Sequence, residues 1–387
     1  MSRPEAQGWC PTAFNPMMSG DGMLLRVRPQ FNRLSLEQAL GLCGIAEQFG
    51  NGLIDFTSRA AVQIRGLTPA SFTKALSALQ SLSLVSQTAS HEALRGVLLS
   101  PEWQENDLTY RLTQALYDRL DELPELPAKF GFAMDTGRQP VLQGCSADIR
   151  LETSKDGRLL LIEDGADFGR SVSQDTAISA LIALAHMFSQ TVRGGNPNTR
   201  MRNIPSPLQS AQDEYAYKRQ LSFASLPLGK TALGFHLAPA FGQTTSQDFT
   251  ELLIQSDCAF LRLTPWRGLL LERASNLTIP PGFISDEQDP KRRIQVCPGA
   301  PACQSAKGNT RGFAARMAPR LGANSALNSK DLHISGCAKG CAKPQKADLT
   351  FVAQNCGFDV IVKGHAWDKP IITGLDPDII LQNLDGF

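Results

Sequence analysis

Apolar residues recur at helical spacing in "RLSLEQALGLCGIAEQFGNG", where Leu36, Ala39, Leu40, Cys43 and Ala46 share one face. Ser35 and Gln38 have the spacing of a capping box and Gly50 closes the stretch, so a helix is predicted over 35–50. On either side the pattern is that of extended chain. "MLLRVR" (Met23 to Arg28) reads as a strand before the helix, while "LIDFT" and "VQIRG" read as two strands after it, joined by a short turn around Ser58. Thr68-Pro69 then opens a second helix, "PASFTKALSALQ", because proline suits a first turn whose N–H groups have no partner. The order β-α-β-β-α is most of a ferredoxin-like unit.

The same order returns about 210 residues later. "LGFHLAPAF" answers "LLRVRPQF", with Pro239 and Phe241 in the places of Pro29 and Phe31, and "CAFLRLTPWRGLLLE" answers "GLIDFTSRAAVQIR", with Thr264 in the place of Thr57. A shared element order over this length predicts an internal duplication. "DIRLETSKDGRLLLI" with "SQDTAISALIALAHMFSQ", and "LHISGCAKGC" with the strands that follow it, mix strands and helices as α/β lobes do. Residues 196–212, "NPNTRMRNIPSPLQSAQ", carry two prolines and read as the linker between halves.

At 387 residues the chain exceeds one ordinary core, and 42% hydrophobic with 19% charged residues excludes a disordered, solvated chain. A net charge of +1 gives no global attraction to nucleic acid, so an anionic partner needs a local basic pocket. The N-terminal stretch shows no apolar signal core, and the longest apolar run, Ala177 to Phe188, is too short for a bilayer. A cytoplasmic protein is expected, and its nine cysteines point to metal or redox use rather than a disulfide framework.

Cys297 and Cys303 stand in "CPGAPAC", and Cys337 and Cys341 in "CAKGC". A single zinc ion usually takes C-x2-C knuckles; the wider C-x5-C and C-x3-C loops suit the more separated corners of an iron–sulfur cube, with zinc or unligated core cysteines as the other readings. Gly299, Gly336 and Gly340 permit close backbone approach. Cys10, Cys43, Cys145, Cys258 and Cys356 read as ordinary buried thiols.

The run "SGCAKGCAKPQKADLTFVA" resembles the cluster segment of the sirohaem-dependent nitrite and sulfite reductase superfamily, and the likeness covers nearly the whole chain. It implies an α+β fold of duplicated ferredoxin-like half-domains plus α/β lobes. The units expected are a first half-domain at 10–90, a first lobe and linker at 91–212, a second half-domain at 213–285, and a cluster-bearing lobe at 286–387. The resemblance also implies a [4Fe–4S] cluster on Cys297, Cys303, Cys337 and Cys341, the last bridging to a sirohaem iron.

"TSRAAVQIRG" resembles the family's T-x-R motif and puts Arg59 at an anion- or tetrapyrrole-contacting position. "LRGVLLSP" likewise assigns Arg95, and "LPAKFGFAMD" assigns Lys129. Arg65, alternating with Arg59 along a presumed strand, is expected on the same face. Outside these motifs all four would be ordinary surface charges. The second lysine of the L-P-x-K-F-K motif is missing, with Gly131 in its place, which weakens the grip on nitrite or sulfite.

That departure fits a branch of the superfamily that hydroxylates precorrin-3A with O2 and closes a γ-lactone in aerobic cobalamin biosynthesis. "CPTAFNPMMSGDGMLLRVRP" and "RLTPWRGLLL" resemble segments of this branch. The resemblance implies a monooxygenase with a mononuclear non-haem iron, sirohaem being the alternative cofactor and nitrite or sulfite reduction the alternative activity. A non-catalytic electron carrier is the third reading. No G-x-G-x-x-G follows a strand, so a separate NADH-linked electron-transfer partner is expected. His91, His186, His236, His333 and His365 show no two-histidine-one-carboxylate spacing; His333, just before the cysteine loop, is the first candidate among them.

Overall fold

The computed structural model describes residues 4, 11–196, 198–205, 216–222, 225–274, 277–322, 327 and 329–387. Cys10 and, within the expected linker, residues 197 and 206–212 lie outside the described residues. The first helix spans Leu36–Phe49; the Ser35 hydroxyl accepts from the Gln38 N–H while the Gln38 side chain accepts from the Ser35 N–H. The second spans Pro69–Ser81 behind a Thr68 cap.

The two ferredoxin-like units are built into each other. The first sheet runs Met17–Ser19, Gly22–Val27, Val62–Leu67, Leu53–Phe56 and then Gln243–Thr245, which comes from the second unit. The second sheet runs Gly229–Thr231, Gly234–Pro239, Gly268–Glu272, Phe260–Thr264 and then Arg33–Ser35, which comes from the first. Leu34 stands opposite Leu261, and Thr244 opposite Ile54. The crossing is set at equivalent residues: after Pro29 and Pro239 the chain turns through Phe31 and Phe241, at φ 55° and 58°, and leaves its own sheet. Helices Leu36–Phe49 and Ser246–Ser256 follow the exchanged strands and pack on each other, so residues such as Leu42, Ile64, Phe249 and Leu261 share one core.

Each unit is followed by a lobe, and the lobes repeat too. Val97–Leu99, Phe132–Asp135 and Ile149–Thr153 are parallel, with Leu159–Glu163 and Phe168–Ser171 antiparallel beyond them. Ile294–Val296, Leu332–Ser335 and Ala347–Ala353 repeat the parallel trio, with Phe358–Gly364 and Ile372–Leu375 antiparallel. The helix Gln174–Val192 covers the first lobe's core. Ala216–Lys218, which the sequence places beyond the linker in the second half-domain, instead pairs with Phe168–Arg170 at the first lobe's edge. An edge strand left open would invite pairing with another chain, and this segment closes it. The duplication is incomplete: among the described residues the helix Pro69–Ser81 has no counterpart, and the chain instead runs to Phe283–Ile284, paired with Ala238 and Pro239. No helix among the described residues is long and apolar enough to cross a membrane.

Candidate functional site

The cysteine loops leave the carboxyl ends of two adjacent parallel strands, where loops converge in α/β sheets. Val296 pairs in register with Ile334, so Cys297 and the Gly336-Cys337 segment emerge side by side. The Gly336 N–H donates to Cys297 Sγ at 3.1 Å, and the Lys307 N–H donates to the Gly336 carbonyl at 2.9 Å, tying one loop to the other. Burial pushes the Cys337 thiol up, with Cys297 and Cys303 adding to the rise, which puts three sulfurs within electrostatic reach of one another. A Cβ at Gly336 would meet Ala306 Cβ at 2.6 Å and Cys297 Sγ at 3.5 Å, and Gly299, at φ 70°, lies against the Thr310 backbone. Clustered thiols, an N–H on sulfur and bare backbone at close approach fit a thiolate-held iron–sulfur cube. Among the described residues no group of three or more His, Cys, Asp or Glu is placed to hold a single ion, so no ligand set for a mononuclear iron can be named.

Cys341 is exposed and faces a cavity of about 550 Å3. Ser58 and Trp266 enter it from equivalent hairpin turns, Gly144 from the first lobe, and Arg267, Lys291 and Arg292 supply positive charge. Arg59, beside Ser58, donates to the Lys129 carbonyl at 3.0 Å and to Ser146 Oγ at 2.9 Å. Neither Arg59 nor Lys129 is among the residues lining the cavity, although Ser58 beside Arg59 is, and Arg59 is thus brought to the backbone of Lys129. Gly131 explains how: a Cβ there would stand 3.1 Å from the Gly96 carbonyl and 3.7 Å from Arg59 Nη1, so the guanidinium lies over the place where the resemblance expects a second lysine. Arg200 joins the group, donating to Ser146 at 3.2 Å and to buried Asp148 at 2.7 Å.

Two of the expected arginines go elsewhere. Arg95, 5% exposed, pairs with buried Glu92 at 3.2 Å and donates to the Leu84 carbonyl of the first unit, outside the cavity lining. Arg65 shares no strand with Arg59, which sits in the turn before it. It pairs with Asp21 at 2.8 Å and Asp55 at 3.0 Å and donates to the Ala302 carbonyl at 2.7 Å, pinning the Cys297–Cys303 loop to the first unit. Arg262 does the same in the other half, joining Glu272 to the Pro101 carbonyl of the first lobe. Arg65 is therefore a strut whose charge is already matched.

The histidines are scattered. His91 meets Asp121, His186 the Glu122 carbonyl, His236 Thr264 and the Pro227 carbonyl, and His365 Asp368. His333 is fully buried with neither ring nitrogen bonded, and burial, with Lys343 nearby, depresses it to about 4. The cavity residues that the sequence reading did not assign had a legible signal: Arg267 occupies, in "TPWR", the place of Ala60 in "TSRA", and Lys291-Arg292 open the run "KRRIQVC" that ends at Cys297.

Two intertwined ferredoxin-like units, each followed by a lobe, define the nitrite/sulfite reductase architecture. The nitrite/sulfite reductase ferredoxin-like half domain matches residues 15–82. The solved structure of the Mycobacterium tuberculosis NirA protein superposes with a TM-score of 0.67 over 94% of this chain and 79% of its own, at 18% identity. A precorrin-3B synthase from Sinorhizobium sp is 30% identical over 94% of this chain and 84% of its own. A ferredoxin–nitrite reductase of Synechococcus elongatus is 25% identical over 97% of this chain and 88% of its own. The chain belongs to the precorrin-3B synthase family, within the nitrite/sulfite reductase superfamily.

Proposed function

We propose that this chain is an O2-dependent monooxygenase that hydroxylates precorrin-3A and closes a γ-lactone on it. The observation that carries the reading is the cavity that meets Cys341 on one wall and presents Arg267, Lys291 and Arg292 to its interior. Such a wall suits a flat ring fringed with carboxylates, because guanidinium forks pair carboxylates bidentately and stay charged when desolvated. Trp266 offers an aromatic wall, and Ser58 and Gly144 line the first-half side.

Cys297, Cys303, Cys337 and Cys341 would hold a [4Fe–4S] cluster, which would supply single electrons, and a bound iron, non-haem or sirohaem, would supply O2 activation. The chain's own contribution is placement. Matching the carboxylate fringe on opposite sides fixes the ring's rotation, so that one edge is held for attack. The electrons come from a separate NADH-linked partner.

The test is an anaerobic single turnover. Reduced protein mixed with precorrin-3A should bind the ring, and admitting O2 should convert about one equivalent to hydroxylated lactone by mass spectrometry. A tetrapyrrole retained through gel filtration, with repeated turnover of nitrite or sulfite and no lactone, would establish the reductase instead.

A further inference from the structure

The cavity's cations are not equivalent. Lys291 is paired with Asp289 at 3.0 Å and Arg292 with Glu287 at 3.0 Å. Arg311, behind the wall, is paired with Asp55 at 2.8 Å, and Asp55 also receives Arg65 and the Gln243 amide. Arg267 alone among these makes no hydrogen bond and no ion pair with any described residue. The charges around it are a like one, Arg311, and two of opposite sign, Asp55, already paired with Arg65 and Arg311, and the Cys297 sulfur.

The backbone holds it there against preference. Arg267 has φ 58°, the left-handed region that β-carbon sterics disfavour, and its Cδ lies 3.2 Å from where a Cβ of Gly242 would stand. The equivalent turn of the first unit puts Ala60 in the same conformation, at φ 46°, so the turn itself does not require an arginine. A strained residue carrying a half-buried cation with no direct ion pair into a cavity is costly to the free protein, and such costs persist where a ligand relieves them.

We infer that Arg267 is the anchor for one carboxylate of the tetrapyrrole and sets which edge of the ring faces Cys341. The inference rests on the tetrapyrrole reading above and deepens it. A free guanidinium fork takes a carboxylate bidentately, whereas cations already paired with protein carboxylates must share or exchange their partners to do so.

The test uses the full chain with uroporphyrin, a stable polycarboxylate ring, as the probe, followed by fluorescence titration. Arg267→Gln and Arg267→Gly should each weaken binding by about 10- to 100-fold, with Arg267→Lys between them and the wild type. Arg267→Gly should at the same time raise the melting temperature, because glycine relaxes the left-handed turn. Stabilisation combined with lost affinity is a result that a merely structural arginine would not give. Wild-type binding with unchanged affinity in the glutamine and glycine variants would overturn the inference alone, as would loss of affinity tracking loss of folded protein. A wild type that binds no uroporphyrin would overturn this inference together with the tetrapyrrole reading.

Discussion

Asp135 shows what one side chain does to the first lobe. It is fully buried at the end of its strand and accepts from the Val141 and Leu142 N–H groups, while its other oxygen has no partner. Burial raises it to about 6, so the native state keeps a proton that the unfolded chain releases near 3.8. Its contribution to stability is therefore present at low pH and lost as pH rises through about 6, at a cost of about 3 kcal/mol by neutral pH. Asp135→Asn keeps an acceptor without the charge. Denaturant unfolding should find it equal to the wild type near pH 4 and up to about 3 kcal/mol more stable near pH 8; a pH-independent difference would refute the buried charge. No sequence signal marked Asp135, since nothing local says that its strand end is sealed. Motifs assigned Arg59, Lys129 and Arg95, and strand alternation Arg65, by position alone, and Arg65 and Arg95 lie away from the cavity because a motif gives position and not the partners a side chain finds. Asp21 and Glu92 claim those two arginines; the first pairing spans 44 residues and has no local pattern, whereas the second is an i,i+3 pair at a helix end.

Among the elements, those with a strong period or a cap were the legible ones. The Ser35/Gln38 box, the Thr68-Pro69 start and the alternation of Val62–Leu67 each fix a local conformation, and each stands where the pattern put it. The three-residue strands Arg33–Ser35 and Gln243–Thr245 were not anticipated, because segments that short carry no period and their partners lie in the other half of the chain. The cysteine loops fall between these cases: spacing marked the loops, and parallel strand ends bring them together. Their closeness depends on bare backbone, so Gly336→Ala should force Ala306 and Cys297 aside, costing about 1–3 kcal/mol. Iron and labile sulfide per chain, measured after anaerobic purification, should fall sharply in that variant; wild-type content would count against cluster ligation by these loops.

The duplication was legible at the scale of the whole molecule because Pro29-Phe31 and Pro239-Phe241 occupy the same crossing point. The interlock it produces was not, since identical local patterns serve equally for two separate sheets and for two sheets that trade an edge. The trade predicts a specific behaviour. Residues 1–205 and 206–387 produced as separate chains should each be poorly folded, lacking one edge strand and half of a shared core. Produced together they should form a one-to-one complex with a single cooperative unfolding transition by circular dichroism. Independent folding of either piece would contradict the interlock.

The traded edges also bear on ancestry. A half-length forebear with this connectivity could complete its sheets only with a second copy of itself, as a symmetric pair with two equivalent lobes. In a single chain the two lobes need no longer be equivalent. Where the later lobe has Cys297 and Cys337 after its first two strands, the earlier has Ser100 and Gly137, and specialisation had a spare to work on.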